Sequence, residues 1–196
     1  MQLFYREKGI DTHPPLIILH GLWGASDNWL PVADLLSHRF HVILPDLRNH
    51  GCSPHSSLFD YTILSQDTEE LIGRLNLPQR PFLAGHSLGG KTLMHLVLKR
   101  PEIVEKAAII DICPQAYTLD RQTMHRSLSE YILTTPLQNF HRRQEIHRAV
   151  REYYSTEEEV QILLKNIRKT PQRILRTVGR KRKNHKQSGE RRAASD

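Results

Sequence analysis

The stretch FLAGHSLGGKT, from Phe82 to Thr92, decides the fold of this chain. An apolar strand enters a Gly-x-Ser-x-Gly turn, and a helical stretch, Leu88–Arg100, leaves it and ends before a proline. A strand–turn–helix of this kind displays a serine at the end of a sheet strand. We therefore expect Ser87 to be a nucleophile and the amide of Leu88 to be a donor to a developing oxyanion.

Two glycines, Gly85 and Gly89, stand where such a turn is too tight for a side chain. The bare motif is weak, because chance would place it in about one in fifteen chains of this length. An ordinary serine in a glycine-rich turn is therefore the alternative, and the sequence on either side has to decide between the two.

Short apolar strands alternate with helical stretches on both sides of this turn. The strands are expected at Leu16–His20, His41–Pro45, Phe82–Gly85 and Ala107–Asp111, with a further strand near the N-terminus and helices at 26–37 and Tyr61–Leu75. This β-α-β-α order predicts an α/β fold with a doubly wound, mainly parallel sheet. Ligands of such a sheet bind at the carboxyl ends of its strands.

The alternation stops after Pro114, and we divide the chain there. Residues 1–114 form the predicted core. Residues 115–167 carry three helical stretches and are expected to form a lid. Residues 168–196 hold 11 Lys and Arg against 2 acidic residues, which predicts a basic, disordered tail with no strand.

Composition excludes several classes of protein. The net charge is +7, but the tail alone accounts for +9 and residues 1–167 for −2. Two cysteines, Cys52 and Cys113, match neither a disulfide framework nor a zinc pattern, so we expect free thiols and no metal. No apolar run approaches the ~20 residues that span a bilayer, and the N-terminus has no apolar signal core. The expected location is therefore the cytoplasm.

A second oxyanion donor is expected from the loop after an earlier strand. The segment HGLWG, His20–Gly24, follows an apolar strand and precedes a helix. Gly21 permits close backbone approach, so the Leu22 amide is the candidate donor. The alternative is a plain strand-to-helix loop.

Four motifs in this order, HGLWGASDNW, PDLRNHGCSPH, GHSLGGK and IIDICP, resemble the α/β-hydrolase superfamily. More narrowly, they are similar to its YbfF-type esterases and to the related mitochondrial α/β-hydrolase-domain proteins. The resemblance covers about residues 3–167. It implies a cofactor-independent serine esterase or thioesterase that acts on small acyl esters. It also implies that Asp111, 24 residues after Ser87, is the acid of a catalytic triad. A turn-capping aspartate is the alternative.

The triad histidine is the member that the sequence does not supply. The family places it near the C-terminus, after two more strands, and neither strand is predicted here. We found no convincing substitute among the histidines that we weighed, which are His20, His50, His55, His86, His95, His125, His141, His147 and His185. We therefore expect an esterase that is impaired by a truncated or replaced C-terminal part.

Two other functions stay open. One is a catalytically dead interaction protein whose basic run at 180–186 binds anionic partners. That run has no aromatic residues for base stacking, which disfavours specific nucleic-acid recognition. The other is an enzyme that borrows a base from a partner or from the lid. In either case the strand at Ala107–Asp111 would become an exposed sheet edge, so we expect self-association.

Overall fold

A computed structural model describes residues 1–116, 130, 140, 142–151, 157, 160–161, 164, 167–169 and 174–176. The strands are β1 (Tyr5–Lys8), β2 (Pro15–Leu19), β3 (His41–Pro45), β4 (Phe82–His86), β5 (Lys106–Ile110), β6 (Ile167–Lys169) and β7 (Ile174–Arg176). The helices are α1 (Leu30–Leu36), α2 (Tyr61–Leu75), α3 (Leu88–Lys99) and α4 (Arg143–Arg151). Short 3₁₀ turns at Ser26–Trp29 and Pro101–Ile103 precede α1 and β5.

Five strands form the main sheet in the order β1-β3-β2-β4-β5. The strands β3, β2, β4 and β5 run parallel, and β1 pairs with β3 in the antiparallel direction. The predicted α/β fold with a mainly parallel sheet is therefore confirmed. The strand bounds differ from the predicted ones by at most one residue at either end.

The strand order places the ligand site. The chain leaves β2 toward β3 on one side, and it leaves β4 toward β5 on the other side. The crevice at this reversal lies between the carboxyl ends of β2 and β4, which is where doubly wound sheets bind ligands. The loop that begins at His20 and the turn at Ser87 are the two segments that emerge there.

Two apolar layers hold the sheet between its helices. Every residue of β2 and β3 is buried, as expected for parallel strands that are covered on both faces. One layer includes Ile17, Leu83 and Leu93, and the other packs Ile18, Val42 and Ala33 together. These layers make the carboxyl ends of β2 and β4 a rigid base for the loops they carry.

Local signals explain the helix bounds. The Asp60 carboxylate accepts a hydrogen bond from the Ile63 amide at 2.8 Å and caps the first turn of α2. At the other end, Asn76 adopts the left-handed conformation that ends many helices. The predicted span of this helix, Tyr61–Leu75, is confirmed. The predicted helix at 26–37 differs, because its first four residues form a 3₁₀ turn.

The C-terminal third differs from the prediction. The described helical residues in this part are 130, those of α4, 157, 160–161 and 164. Most of the predicted first lid helix lies outside the described residues. The prediction of no strand beyond the lid is wrong, because β6 and β7 pair as a separate antiparallel ribbon. Ile167 and Ile174 are β-branched and favour strands. This ribbon does not extend the main sheet, and residues 177–196 lie outside the described part of the chain.

Within the described sheet, β5 stands at the edge, as predicted for this strand. Among the residues that the structure describes, β5 pairs with β4 only, and all five of its residues are exposed. Ile109 and Ile110 each keep 36% of their surface accessible, so apolar side chains stand in solvent beside an unpaired backbone. Over the ranges that the structure describes, no helix has the length and apolar character needed to cross a membrane.

Candidate active site

Ser87 lies on a strained turn between β4 and α3. Its backbone angles are φ 50° and ψ −109°, which a residue with a side chain rarely adopts. Two hydrogen bonds hold this conformation: the Ser87 amide donates to the Ile110 carbonyl at 3.1 Å, and its carbonyl accepts from the Lys91 amide at 2.9 Å. Hydrogen bonds to β5 and to α3 therefore maintain the strained backbone conformation of Ser87.

The two glycines of the motif are required by close packing. A Cβ placed on Gly85 would lie 2.5 Å from the carbonyl oxygen of Gly89. A Cβ placed on Gly89 would lie 2.5 Å from the carbonyl oxygen of Leu19. Both contacts are with backbone atoms, which cannot rotate away as a side chain would. The turn can therefore form only where these two positions lack side chains.

The loop after β2 packs directly against this turn. A Cβ on Gly21 would lie 3.4 Å from the Cβ of Ser87 and 2.8 Å from Nδ1 of His86. The Gly21–Leu22 peptide therefore borders the nucleophile turn. Leu88 is buried at the first position of α3, so its amide belongs to the open N-terminal turn of that helix. The structure thus brings the segments of both proposed oxyanion donors beside Ser87.

Each loop at the carboxyl end of the parallel sheet contains a residue with positive φ. These residues are Trp23 after β2, Asn49 after β3, Ser87 after β4 and Asp111 after β5. Such conformations cost free energy for residues with side chains, and they cluster at functional sites. The sequence marks only the turn at Ser87, through its Gly-x-Ser-x-Gly motif.

Asp111 is adjacent to the turn but faces solvent. Its carboxylate Oδ2 lies 3.5 Å from Nε2 of His86, and its side chain is 84% exposed. A triad acid is expected to face the pocket at the strand ends, and both the exposure of Asp111 and its contact with His86 differ from that expectation. The assignment of Asp111 as the triad acid stays a prediction.

Several described histidines have ring nitrogens that contact groups other than Ser87. His86 contacts Asp111, and His41 contacts the Glu7 carboxylate. His147 contacts Glu157 at the lid. Three further candidates, His125, His141 and His185, lie outside the described residues.

Sequence reasoning missed the network that holds the loop after β2 to the loop after β3. The Leu47 amide donates to His20 Nε2 at 3.0 Å, and the Trp23 amide donates to His50 Nε2 at 3.3 Å. The Ser26 amide donates to the Asp46 carboxylate at 2.6 Å. Each loop thus supplies acceptors for backbone amides of the other. The motif PDLRNHG held the signal, but the sequence alone did not show which partners its side chains would reach.

A buried ion pair anchors the loop after β3 to α2. Arg48 donates from Nε to Oδ2 of Asp67 at 2.5 Å and from Nη2 to Oδ1 at 2.7 Å. Nη1 of the same guanidinium donates to the Leu58 carbonyl at 2.9 Å. The Asp67 hydrogen bond raises the pKa of Arg48. Such a two-pronged pair fixes the orientation of both side chains.

The histidines of this network are held neutral by burial. Removal from water, with a smaller contribution from the neighbouring His50, lowers the pKa of His20 from 6.5 to about 3. Burial also lowers the pKa of His50. Their rings lie 5.0 Å apart, so a charge on either one would disfavour a charge on the other.

The family model described as "alpha/beta hydrolase fold" matches residues 14–183. The chain belongs to the α/β-hydrolase fold family. The match includes the strained serine turn, the loop after β2 and the strand order that brings them together.

Individual relatives agree with this membership. The chain is 30% identical to esterase YbfF of Escherichia coli K12 over 80% of its own length and 60% of that protein's length. It is 42% identical to the sn-1-specific diacylglycerol lipase ABHD11 of Mus musculus over 56% of its own length and 36% of the mouse protein's. Among solved structures, a marine microorganism esterase matches with a TM-score of 0.85 and 34% identity, covering 91% of this chain and 69% of that chain.

The chain covers less than two thirds of the length of these two curated relatives. The family relationship therefore establishes the fold, and the esterase and lipase activities belong to the relatives. In the part of the chain that the structure describes, no three His, Cys, Asp or Glu side chains cluster as metal ligands.

Proposed function

We propose that this chain is a serine hydrolase of the esterase type that acts on carboxylic esters or thioesters through an acyl-enzyme. The backbone of Ser87 carries this proposal, because a strained serine between β4 and α3 stands at the reversal point of the sheet. An acyl carbonyl placed there would meet the Ser87 hydroxyl and the amides of Leu22 and Leu88. These amides would stabilise the negative charge that forms on the carbonyl oxygen.

We further propose that turnover is impaired because the sequence places no histidine in the C-terminal Gly-x-Gly-His setting that the family resemblance implies for the base. The Ser87 hydroxyl must lose its proton as it attacks, and a hydroxyl is a weak nucleophile without a neighbouring base. The position of Asp111 supports this proposal, since the candidate acid is 84% exposed and its carboxylate contacts the side chain of His86, the residue before Ser87. Loss of one triad member lowers turnover by about 10⁴- to 10⁶-fold.

Ester turnover tests the impairment proposal, whereas covalent labelling of Ser87 by a fluorophosphonate tests whether this serine is the nucleophile. We expect the chain to hydrolyse a p-nitrophenyl ester far more slowly than a complete relative, with little change in Ser87→Ala. Ser37→Ala is the matched control, because the Ser37 hydroxyl follows α1 and donates to the Asp34 carbonyl within that helix. Turnover near the ~10 s⁻¹ typical of enzymes, abolished in Ser87→Ala, would show that a base is present and that the impairment proposal is wrong.

The interaction-protein alternative has no support from the described residues, since its basic run at 180–186 lies outside them. It predicts retention on DNA that weakens steeply with salt, because Lys and Arg would displace counterions from phosphates. Such retention, together with a chain that never labels at Ser87, would favour the alternative over the hydrolase proposal.

We also propose that β5 pairs with the β5 strand of a second copy. Antiparallel pairing centred between Ala108 and Ile109 would place Lys106 of each copy beside Asp111 of the other copy, so charges would be complementary at both ends. Sedimentation velocity should show a concentration-dependent dimer that Ala108→Lys abolishes. Leu35→Lys is the control, since it adds the same charge to an exposed position of α1. A monomer at all concentrations would refute the pairing.

A further inference from the structure

The Gly21–Leu22 peptide is held from behind by a histidine. Its carbonyl, that of Gly21, accepts from Nδ1 of His20 at 2.8 Å and from the Gly24 amide at 3.1 Å. A trans peptide is planar, so its carbonyl and its amide point in opposite directions. Fixing the Gly21 carbonyl therefore fixes the direction of the Leu22 N–H, which the proposed function uses as an oxyanion donor.

The hydrogen bonds of His20 define its proton position. The Leu47 amide donates to Nε2, so Nε2 holds a lone pair and no proton. The proton of the neutral ring therefore lies on Nδ1, which is the atom that donates to Gly21. Protonation of Nε2 would set two N–H groups against each other. Only the neutral Nδ1–H form of this ring can serve both partners.

His50 repeats this arrangement on the facing loop. Its Nε2 accepts from the Trp23 amide, and its Nδ1 lies 2.8 Å from the Arg48 carbonyl, to which it donates. Trp23 has φ 64°, a conformation that costs about 1–2 kcal/mol for a residue with a side chain. The hydrogen bond from its amide to His50 opposes relaxation of that strain. The peptides on both sides of Leu22 are thus held by neutral histidines.

We propose that His20 and His50 are a pair of positioning residues that aim the Leu22 amide at the oxyanion. His20 orients the Gly21–Leu22 peptide through Nδ1, and His50 holds Trp23 through Nε2. This inference rests on the proposed function for its catalytic meaning. The geometry of the two rings can be tested whether or not the chain turns over esters.

Matched amide substitutions separate the two roles. The terminal amide of Asn can occupy the position of a histidine Nδ1, and that of Gln can occupy the position of Nε2. At position 20 the atom that matters is Nδ1, so His20→Asn should retain function better than His20→Gln. At position 50 the atom that matters is Nε2, so His50→Gln should retain function better than His50→Asn. A role in filling space alone would not give opposite preferences at the two positions.

The functional readout is the rate at which a fluorophosphonate labels Ser87, measured by intact mass. The phosphonyl oxygen occupies the oxyanion position, so a misdirected donor slows labelling. We expect about a 10- to 100-fold loss in His20→Gln and in His50→Asn, since one oxyanion donor is worth about 10²–10³ in rate. His20→Asn and His50→Gln should lose less than about 10-fold. His41→Gln is the control, because His41 is as buried as His50 but contacts Glu7 at the opposite end of the sheet.

A second readout does not depend on Ser87 chemistry. Nitrogen NMR of the rings at pH 7 should show Nδ1–H, Nε2-unprotonated forms for His20 and His50. The Trp23 amide should exchange slowly with solvent in the wild-type chain and in His50→Gln, and faster in His50→Asn. A doubly protonated or Nε2–H ring, or equal exchange in both variants, would overturn the inference. Correct ring forms with an unlabelled Ser87 would instead count against the proposed function.

Discussion

Two regions at the carboxyl end of the sheet differ in how completely this chain builds them. The loops after β2 and β3 are joined by reciprocal hydrogen bonds, and His20, Asp46 and Arg48 are buried between them. The strand β5 and the Asp111 that follows it are exposed, and β5 has a partner on one side only within the described sheet.

This difference separates the chemistry of the site into two parts. The part that would hold an oxyanion is fixed by contacts within the described residues. The part that would move a proton has an exposed acid beside His86. The difference leads us to expect a protein whose oxyanion side is rigid and whose acid–base side is incomplete.

The largest expected effect lies in the buried region. Asp67→Asn should lower the free energy of unfolding by about 4 kcal/mol, because it leaves the Arg48 guanidinium buried with a neutral partner. Chemical denaturation measures the change. Asp34→Asn is the control, since it removes an exposed partner of Lys8 and should cost less than about 1 kcal/mol. Equal losses in the two variants would remove the contrast between buried and exposed charge.

The second-largest expected effect is a loss of unfolding free energy in acid. The pKa of His20 is about 3 in the folded chain and 6.5 as a free side chain. Between these two pH values the unfolded state therefore binds a proton at His20 and the folded state does not. Stability is complete above pH 6.5 and falls as the pH drops toward 3, by about 1.4 kcal/mol per unit.

Between pH 6.5 and 4.5 this loss amounts to about 2–3 kcal/mol. His20→Asn has no ring to protonate, so its unfolding free energy should depend less on pH by that amount. Parallel curves for the two proteins over this range would show that His20 is not held neutral.

The serine turn should tolerate no side chain at its glycines. Gly85→Ala should cost about 2 kcal/mol, because its Cβ would meet the backbone of Gly89 and Gly90. Gly73→Ala is the matched control, since nothing lies within 4 Å of its Cβ and alanine favours the interior of α2. We expect the control to be stabilised by about 1 kcal/mol. A neutral Gly85→Ala would mean that the turn is looser than its contacts indicate.

The smallest effect is expected at the exposed edge. Ile110→Ala should cost less than about 1 kcal/mol, because the side chain is 36% exposed on a strand that has no second neighbour among the described strands. Ile17→Ala, at 0% exposure in β2, should cost about 2–5 kcal/mol. Thermal unfolding of both variants measures the gap. A large cost at Ile110 in monomeric protein would show that β5 is covered.

The sequence predicted the elements with strong local patterns. The apolar runs at Leu16 and Val42 and the helix capped by Asp60 were placed within a residue, because burial and capping leave periodic and terminal signals. The turn at Ser87 was predicted for the same reason, since Gly85 and Gly89 mark it directly.

The hydrogen-bonded loops could not be predicted in this way. His20 and His50 are 30 residues apart in sequence, and their partners are backbone amides that carry no sequence signal. The ribbon of β6 and β7 was missed because three-residue strands are too short to show an alternating pattern. Side-chain directions, such as that of Asp111 toward His86, depend on tertiary packing that motif spacing does not encode.

Chemical rescue tests most directly the central claim that the oxyanion side is formed and the base is missing. The measurement is the rate of Ser87 labelling by a fluorophosphonate, with and without imidazole as an external base, in the wild-type chain and in Ser87→Ala. We predict slow labelling that imidazole accelerates and that is absent in Ser87→Ala. Labelling as fast as that of a complete relative, and indifferent to imidazole, would contradict the claim because a base would then be at work within the chain.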